Sequence, residues 1–100
     1  MAKPRTIDLH GCTVPEAIVQ FIDFYNQCVR SGHIGPIEVI HGYGSSGRGG
    51  VIKLALHEYL ESNAHCIRGF VPVPGNPGAT RVHPKRPLPD DAPDTRHFRY

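Results

Sequence analysis

The chain is short of cysteine, of net charge and of long apolar runs, and each shortage removes a class of protein. Its three cysteines, Cys12, Cys28 and Cys66, are odd in number, widely spaced and without a Cys-x-x-Cys pair. That argues against a disulfide framework or a zinc site and for small, reduced, apolar residues. Eleven Lys and Arg stand against nine Asp and Glu, a formal net charge of +2. So even a balance excludes a strongly basic coat for nucleic acid, and any anion must be held by locally placed groups. No apolar stretch is long enough to span a bilayer, and none has the make-up of a secretory leader. The expectation is a cytoplasmic protein with no membrane partner. One hundred residues fit a single domain with a modest core.

What the chain does have is two histidine–glycine motifs, each ending an apolar, strand-like run. The first is Ile7-Asp8-Leu9-His10-Gly11, and the second is Ile40-His41-Gly42-Tyr43-Gly44, which opens the loop HGYGSSGRGG. Open α/β sheets bind ligands beyond the carboxyl ends of their strands. Two such ends in one small domain suggest two walls of one site.

Around these motifs the pattern is β-α-β-α-β-β. Arg5 to Leu9 read as a strand, with Ile7 and Leu9 on one face and Asp8 and His10 on the other. Thr13-Val14-Pro15-Glu16 has the form of a capping box. The helix it starts should bury Val14, Ile18, Phe21, Ile22, Tyr25, Cys28 and Val29, and end at Gly32 as the C′ residue. Ile37 to Ile40 form the second strand. A second helix is predicted from about Gly50 to Asn63, burying Ile52, Ala55, Leu56, Tyr59 and Leu60. Strands over Cys66–Val71 and Ala79–His83 follow, joined by the PVPGNPG stretch. Right-handed crossovers place both helices on one face of a four-stranded mixed sheet, an α/β two-layer (α+β) sandwich with its other face open. Residues 1–83 form the domain in this reading. Residues 84–100, rich in proline and alternating charge, are predicted to be a mostly disordered tail that can be removed without harm to the fold.

The motifs admit more than one chemistry. Asp8 and His10, two apart on a strand, suit a carboxylate that orients an imidazole for acid–base work. The plainer alternative is an Asp8 that caps the turn beside an ordinary surface histidine. The glycine loop leads into a helix N-terminus, where free backbone amides attract phosphate, and Arg48 and Lys53 add positive charge; a flexible connector is the alternative. Gly42-x-Gly44-x-x-Gly47 matches a dinucleotide fingerprint, but the acidic residue about 20 positions on would be Glu61, at a helix end out of ribose reach. A P-loop fails because no Gly-Lys-Ser/Thr follows. Thr80 and Arg81 join the site because their strand begins at the same edge. His41 shares parity with Ile37 and Val39, which leaves its facing open. His10, His41 and Asp8 could also hold a divalent cation, with acid–base work preferred.

In this order and spacing, IDLHG, HGYG and Gly78-Ala79-Thr80-Arg81-Val82 resemble the Smr (small MutS-related) domain over about residues 5–83. The resemblance implies a two-layer β-α-β-α-β-β fold similar to the C-terminal domain of a bacterial translation initiation factor. It also implies endonuclease activity, on RNA in ribosome rescue or on DNA by nicking. By position it gives Asp8 and His10 as catalytic candidates and His41, Gly42 and Gly44 as the nucleic-acid loop. The inserted Ser-Ser-Gly-Arg-Gly departs from the commonest family form. Nothing resembles the mismatch-recognition or ATPase parts of MutS proteins.

The resulting expectation is a monomeric, structure-specific endonuclease on RNA, including mRNA on the ribosome, in preference to branched or nicked DNA. Its catalytic set is Asp8, His10 and His41, and its nucleic-acid contacts are Gly42, Gly44, Arg48, Lys53, Thr80 and Arg81. No cofactor is required in this reading, with Mg²⁺ as the alternative. A non-catalytic nucleic-acid or ribosome-binding module is the rival.

Overall fold

A computed structural model of the chain describes residues 5–33, 35–42 and 49–90. Four strands and two helices follow the order expected: β1 (Arg5–Asp8), α1 (Val14–Arg30), β2 (Ile37–Ile40), α2 (Gly49–Ser62), β3 (Ile67–Val73) and β4 (Asn76–Pro84). A 3₁₀ turn, Ala64–Cys66, leads into β3. The sheet runs β1-β2-β4-β3, with β1 and β2 parallel and the other pairs antiparallel.

Helix α1 begins where the capping box requires. The Thr13 hydroxyl accepts from the Glu16 N–H at 3.3 Å, and a Glu16 carboxylate oxygen accepts from the Thr13 N–H at 2.9 Å. Its end is a Schellman motif: the Gly32 N–H donates to the Val29 carbonyl and the His33 N–H to the Cys28 carbonyl. The inner stripes of the two helices cover one face of the sheet. Ile18, Phe21, Ile22 and Tyr25 of α1 and Ile52, Leu56 and Leu60 of α2 pack in one core with Leu9, Ile37, Val39 and Val82.

Two segments differ from the sequence reading. The PVPGNPG stretch is mostly strand and closes as a tight hairpin, rather than joining two shorter strands, because Val73 pairs directly with Asn76. Pro74 and Gly75, the latter at φ +76°, make a two-residue turn of the kind that proline followed by glycine favours. Pro72 is tolerated in β3 because that strand is an edge.

The second difference is a correction to the tail. β4 continues through Pro84, and residues 85–90 lie across α1 as a strap rather than leaving the domain. The Lys85 and Arg86 N–H groups donate to the Cys66 carbonyl. The Tyr25 hydroxyl lies 2.9 Å from the carbonyl oxygens of both Cys66 and Arg86. Asn26 acts like a strand of backbone: its carbonyl oxygen accepts from the Leu88 N–H at 2.8 Å, and its amide donates to the Leu88 carbonyl at 3.0 Å. Leu88 is 3% exposed, and Arg30 reaches Asp90 at 2.9 Å. Proline and alternating charge conceal this order because most of its hydrogen bonds are made by the strap's own backbone, which leaves no periodicity in the sequence. Residues 91–100 of the expected tail lie outside the described residues.

Candidate nucleic-acid site at the strand ends

Register settles which way the candidate residues face. Asp8 pairs with Ile40, and Ile40 with Ala79; Thr6, Glu38 and Arg81 form the row two residues back. Ile7 and Val39 turn toward the helices, so Asp8 points to the open face. The chain then turns at once, with the Cys12 N–H donating to the Leu9 carbonyl. Gly11, third in that turn with φ +83°, occupies a conformation that side chains rarely adopt.

This turn presents His10 beside Asp8 in solvent. One Asp8 carboxylate oxygen accepts from the His10 backbone N–H at 3.0 Å and lies 2.5 Å from its Nδ1. The side chains are 50% and 68% exposed for Asp8 and His10. The ring hydrogen bond, and after it the backbone one, hold the Asp8 carboxyl below its ordinary range. An ionised carboxylate only accepts, so Nδ1 carries a proton and Nε2 is left to meet a ligand. Cap and imidazole holder are therefore one group, and the two alternatives for Asp8 coexist.

His41 turns the other way. It is 0% exposed, on the helix side of the sheet, where its parity with Ile37 and Val39 puts it. Its Nε2 lies 2.9 Å from the Thr80 hydroxyl, and its Nδ1 lies 3.1 Å from the Gly42 carbonyl. A third residue converges there. His57 of α2 places Nε2 2.9 Å from the same hydroxyl, and its ring meets His41 edge-on at 6.3 Å and Phe70 at 4.9 Å. The His41 and Gly42 N–H groups both donate to the Gly78 carbonyl at 3.0 Å, tying the end of β2 to β4.

Several expected roles change as a result. His41 is enclosed and cannot share an open site, or a cation, with Asp8 and His10. Thr80, also 0% exposed, is a buried hydroxyl rather than a nucleic-acid contact. It is on β4 opposite Val39, so it and its neighbour Arg81 necessarily face opposite sides. Arg81 lies on the open face, but its guanidinium is paired with Glu38 at 3.1 Å. Strand geometry puts its backbone roughly 11–12 Å from that of Asp8. Lys53, in the first turns of α2, is half-buried, and its charge is felt by both His41 and His57. Gly42 is described, with its N–H already bound to Gly78; Gly44 and Arg48 lie outside the described residues. Among the described residues, no group of three or more His, Cys, Asp or Glu side chains could hold a metal ion. His57 escaped the sequence reading because its meaning depends on a partner 23 positions away. Helical spacing from Lys53 and strand parity from Thr80 are the signals that place it.

Burial, before any other cause, lowers the pKa of both His41 and His57, and the Lys53 charge adds to it. Both imidazoles are therefore neutral in the folded protein above pH 6.5, whereas an unfolded chain takes up these protons near that value. The stability they contribute is complete above that value and is lost as pH falls through it toward the lower folded values. The slope has a limit of about 1.4 kcal/mol per pH unit for each imidazole. Urea unfolding from pH 8 to pH 5 should show this decline, whereas Asp8 acts only below its ordinary value of 3.8. A flat profile between pH 7.5 and pH 5 would contradict the buried neutral pair.

Comparison with known proteins decides the family. The model of the Smr domain matches residues 7–85, most of the chain. The chain belongs to the Smr domain family. Among solved structures, the Smr domain of Thermus thermophilus MutS2 matches with a TM-score of 0.70 at 25% identity, covering 81% of this chain and 98% of that one. The SMR domain of NEDD4-binding protein 2 matches with a TM-score of 0.57 at 28% identity, covering 88% and 93% respectively. No curated protein matches the chain. Smr domains are associated with nucleic-acid binding and nuclease activity, and some are non-catalytic. In this Smr domain, the strap residues 86–90 lie beyond the family match.

Proposed function

We propose that this Smr domain is an endonuclease that cleaves RNA, with His10 moving the proton and Asp8 holding its imidazole. The observation that carries this is the exposed Asp8–His10 pair at the carboxyl end of β1, with Nε2 unpartnered among the described residues. RNA supplies its own nucleophile. The 2′-hydroxyl attacks the adjacent phosphorus, giving its proton to Nε2 as the new P–O bond forms and the bond to the 5′-oxygen breaks. The leaving 5′-oxygen takes a proton from water, because His41, expected in the catalytic set, is enclosed. The products end in a 2′,3′-cyclic phosphate and a 5′-hydroxyl. The chemistry asks only for proton transfer and charge stabilisation, so activity in chelator is expected. mRNA on the ribosome falls within this substrate class.

Lys53 is the proposed phosphate contact near the strand ends. Lys53→Ala should reduce the slope of log affinity against log salt by about one unit, since one contact fewer releases one counterion fewer. Titrations of labelled RNA at several salt concentrations check this, and an unchanged slope would remove Lys53 from the interface.

A non-catalytic binding module is the second reading, favoured by the Asp8–His10 backbone bond, which would serve the turn without any reaction. Incubation with labelled single-stranded RNA and with branched DNA, each with and without chelator, tests the proposal. RNA cleavage that persists in chelator, with branched DNA left whole, supports it. Intact RNA under excess protein would favour the binding module.

A further inference from the structure

Thr80 sits between two imidazoles at equal distances of 2.9 Å, and a hydroxyl has one hydrogen to give. The polarity of the chain follows from its far end. The Gly42 carbonyl can only accept, so His41 must carry a hydrogen on Nδ1. A neutral His41 then has a bare Nε2, which accepts from the Thr80 hydroxyl. The Thr80 oxygen in turn accepts from His57, whose hydrogen must be on Nε2. These three bonds can run in one direction only: His57 to Thr80, Thr80 to His41, and His41 to the Gly42 carbonyl.

That last bond falls where β2 stops and the glycine loop begins. The two peptides just before that carbonyl are held by Gly78, whose own carbonyl accepts both the His41 and the Gly42 N–H. β1 lies alongside, with the Leu9 N–H donating to the Ile40 carbonyl at 2.7 Å, one residue before His10. A peptide fixed there fixes the floor of the site.

We propose that Thr80 and His57 are positioning residues: together they hold His41 as the Nδ1–H tautomer and so fix the Gly42 carbonyl, just past the end of β2, beside the Asp8–His10 pair. The tautomer is a property of the fold alone; its effect on cleavage rests on the endonuclease reading. His57 touches no substrate and acts only through Thr80 and His41. Its donor matters, rather than its bulk, which the Phe70 ring packs against.

Nitrogen-15 NMR of the full chain at pH 7.5 reads the tautomers without any substrate. The expected result is a hydrogen on Nδ1 of His41 and on Nε2 of His57. A hydrogen on Nε2 of His41 would overturn the proposal. Cleavage of labelled single-stranded RNA supplies the second readout. His57→Phe, which fills the space but donates nothing, should lower kcat/KM about tenfold, the loss of one buried hydrogen bond of about 1.4 kcal/mol. His57→Gln keeps a donor and should recover most of that loss, and Thr80→Ser should retain activity where Thr80→Val does not. Full activity in a folded His57→Phe protein would overturn the positioning role. Should the wild type leave RNA intact, the endonuclease reading fails, and affinity for the same RNA, with the tautomers, decides the positioning role in its place.

Discussion

Replacing His10 with alanine should lower RNA cleavage by about 10²-fold or more, the usual cost of removing a positioned acid–base group, while RNA affinity stays near wild type. The side chain is 68% exposed and, among the described residues, is hydrogen-bonded to Asp8 alone, so its removal leaves the core untouched. Asp8→Asn should also cost activity, by a different route. An amide can donate to the ring as well as accept from it, so the tautomer is no longer fixed. Single-turnover rates and binding curves on one RNA separate the two effects. A His10→Ala protein that cuts at the wild-type rate would remove the imidazole from the chemistry. One that neither cuts nor binds would show that His10 grips RNA rather than acting on it.

The second large effect is on stability. Leu88→Ala should cost about 2–5 kcal/mol, the range for truncating a fully buried leucine. Leu88 is buried at 3% exposure, and both its backbone groups are held by Asn26. Asn26→Ala should be destabilising as well, because it leaves the Leu88 N–H and carbonyl without their side-chain partners. Cutting the chain after His83 removes both contributions, together with the bonds to Tyr25 and Cys66. Urea denaturation at pH 7.5 measures all three. A loss below about 1 kcal/mol on truncation, no more than a surface change, would mean that the strap merely rests on α1.

These two predictions mark how far the sequence could be read. Period-two alternation was enough to put Asp8 on the open face, and the capping box was enough to start α1 at Val14. Both are local signals, written within a few residues. The strap and the buried histidines are not local. Asn26 lies in the apolar stripe of α1, and its partner is 62 positions away. His57 reads as one histidine among seven until α2 is laid over β4. Parity also carried a warning that the motif overrode: His41 shared a face with Val39, and that face is the buried one. Thr80 and Arg81, adjacent on one strand, could never both line the same surface.

The site therefore divides into an exposed part and an enclosed part. Asp8 and His10 meet solvent, while His41, Thr80 and His57 support the strand end from beneath. The family motif joins the two because the sequence places His10 and His41 at the ends of neighbouring parallel strands. Only the first of them is available to a phosphate.

The central claim is that RNA is cut through its own 2′-hydroxyl with His10 as the proton carrier. The most direct test uses an RNA whose cut position has been mapped, remade with a single 2′-deoxy nucleotide on the 5′ side of the scissile phosphate. The account predicts that cleavage at that position stops, while the unmodified RNA yields a 2′,3′-cyclic phosphate. Cleavage of the modified strand at the normal rate would contradict it and make an activated water the nucleophile.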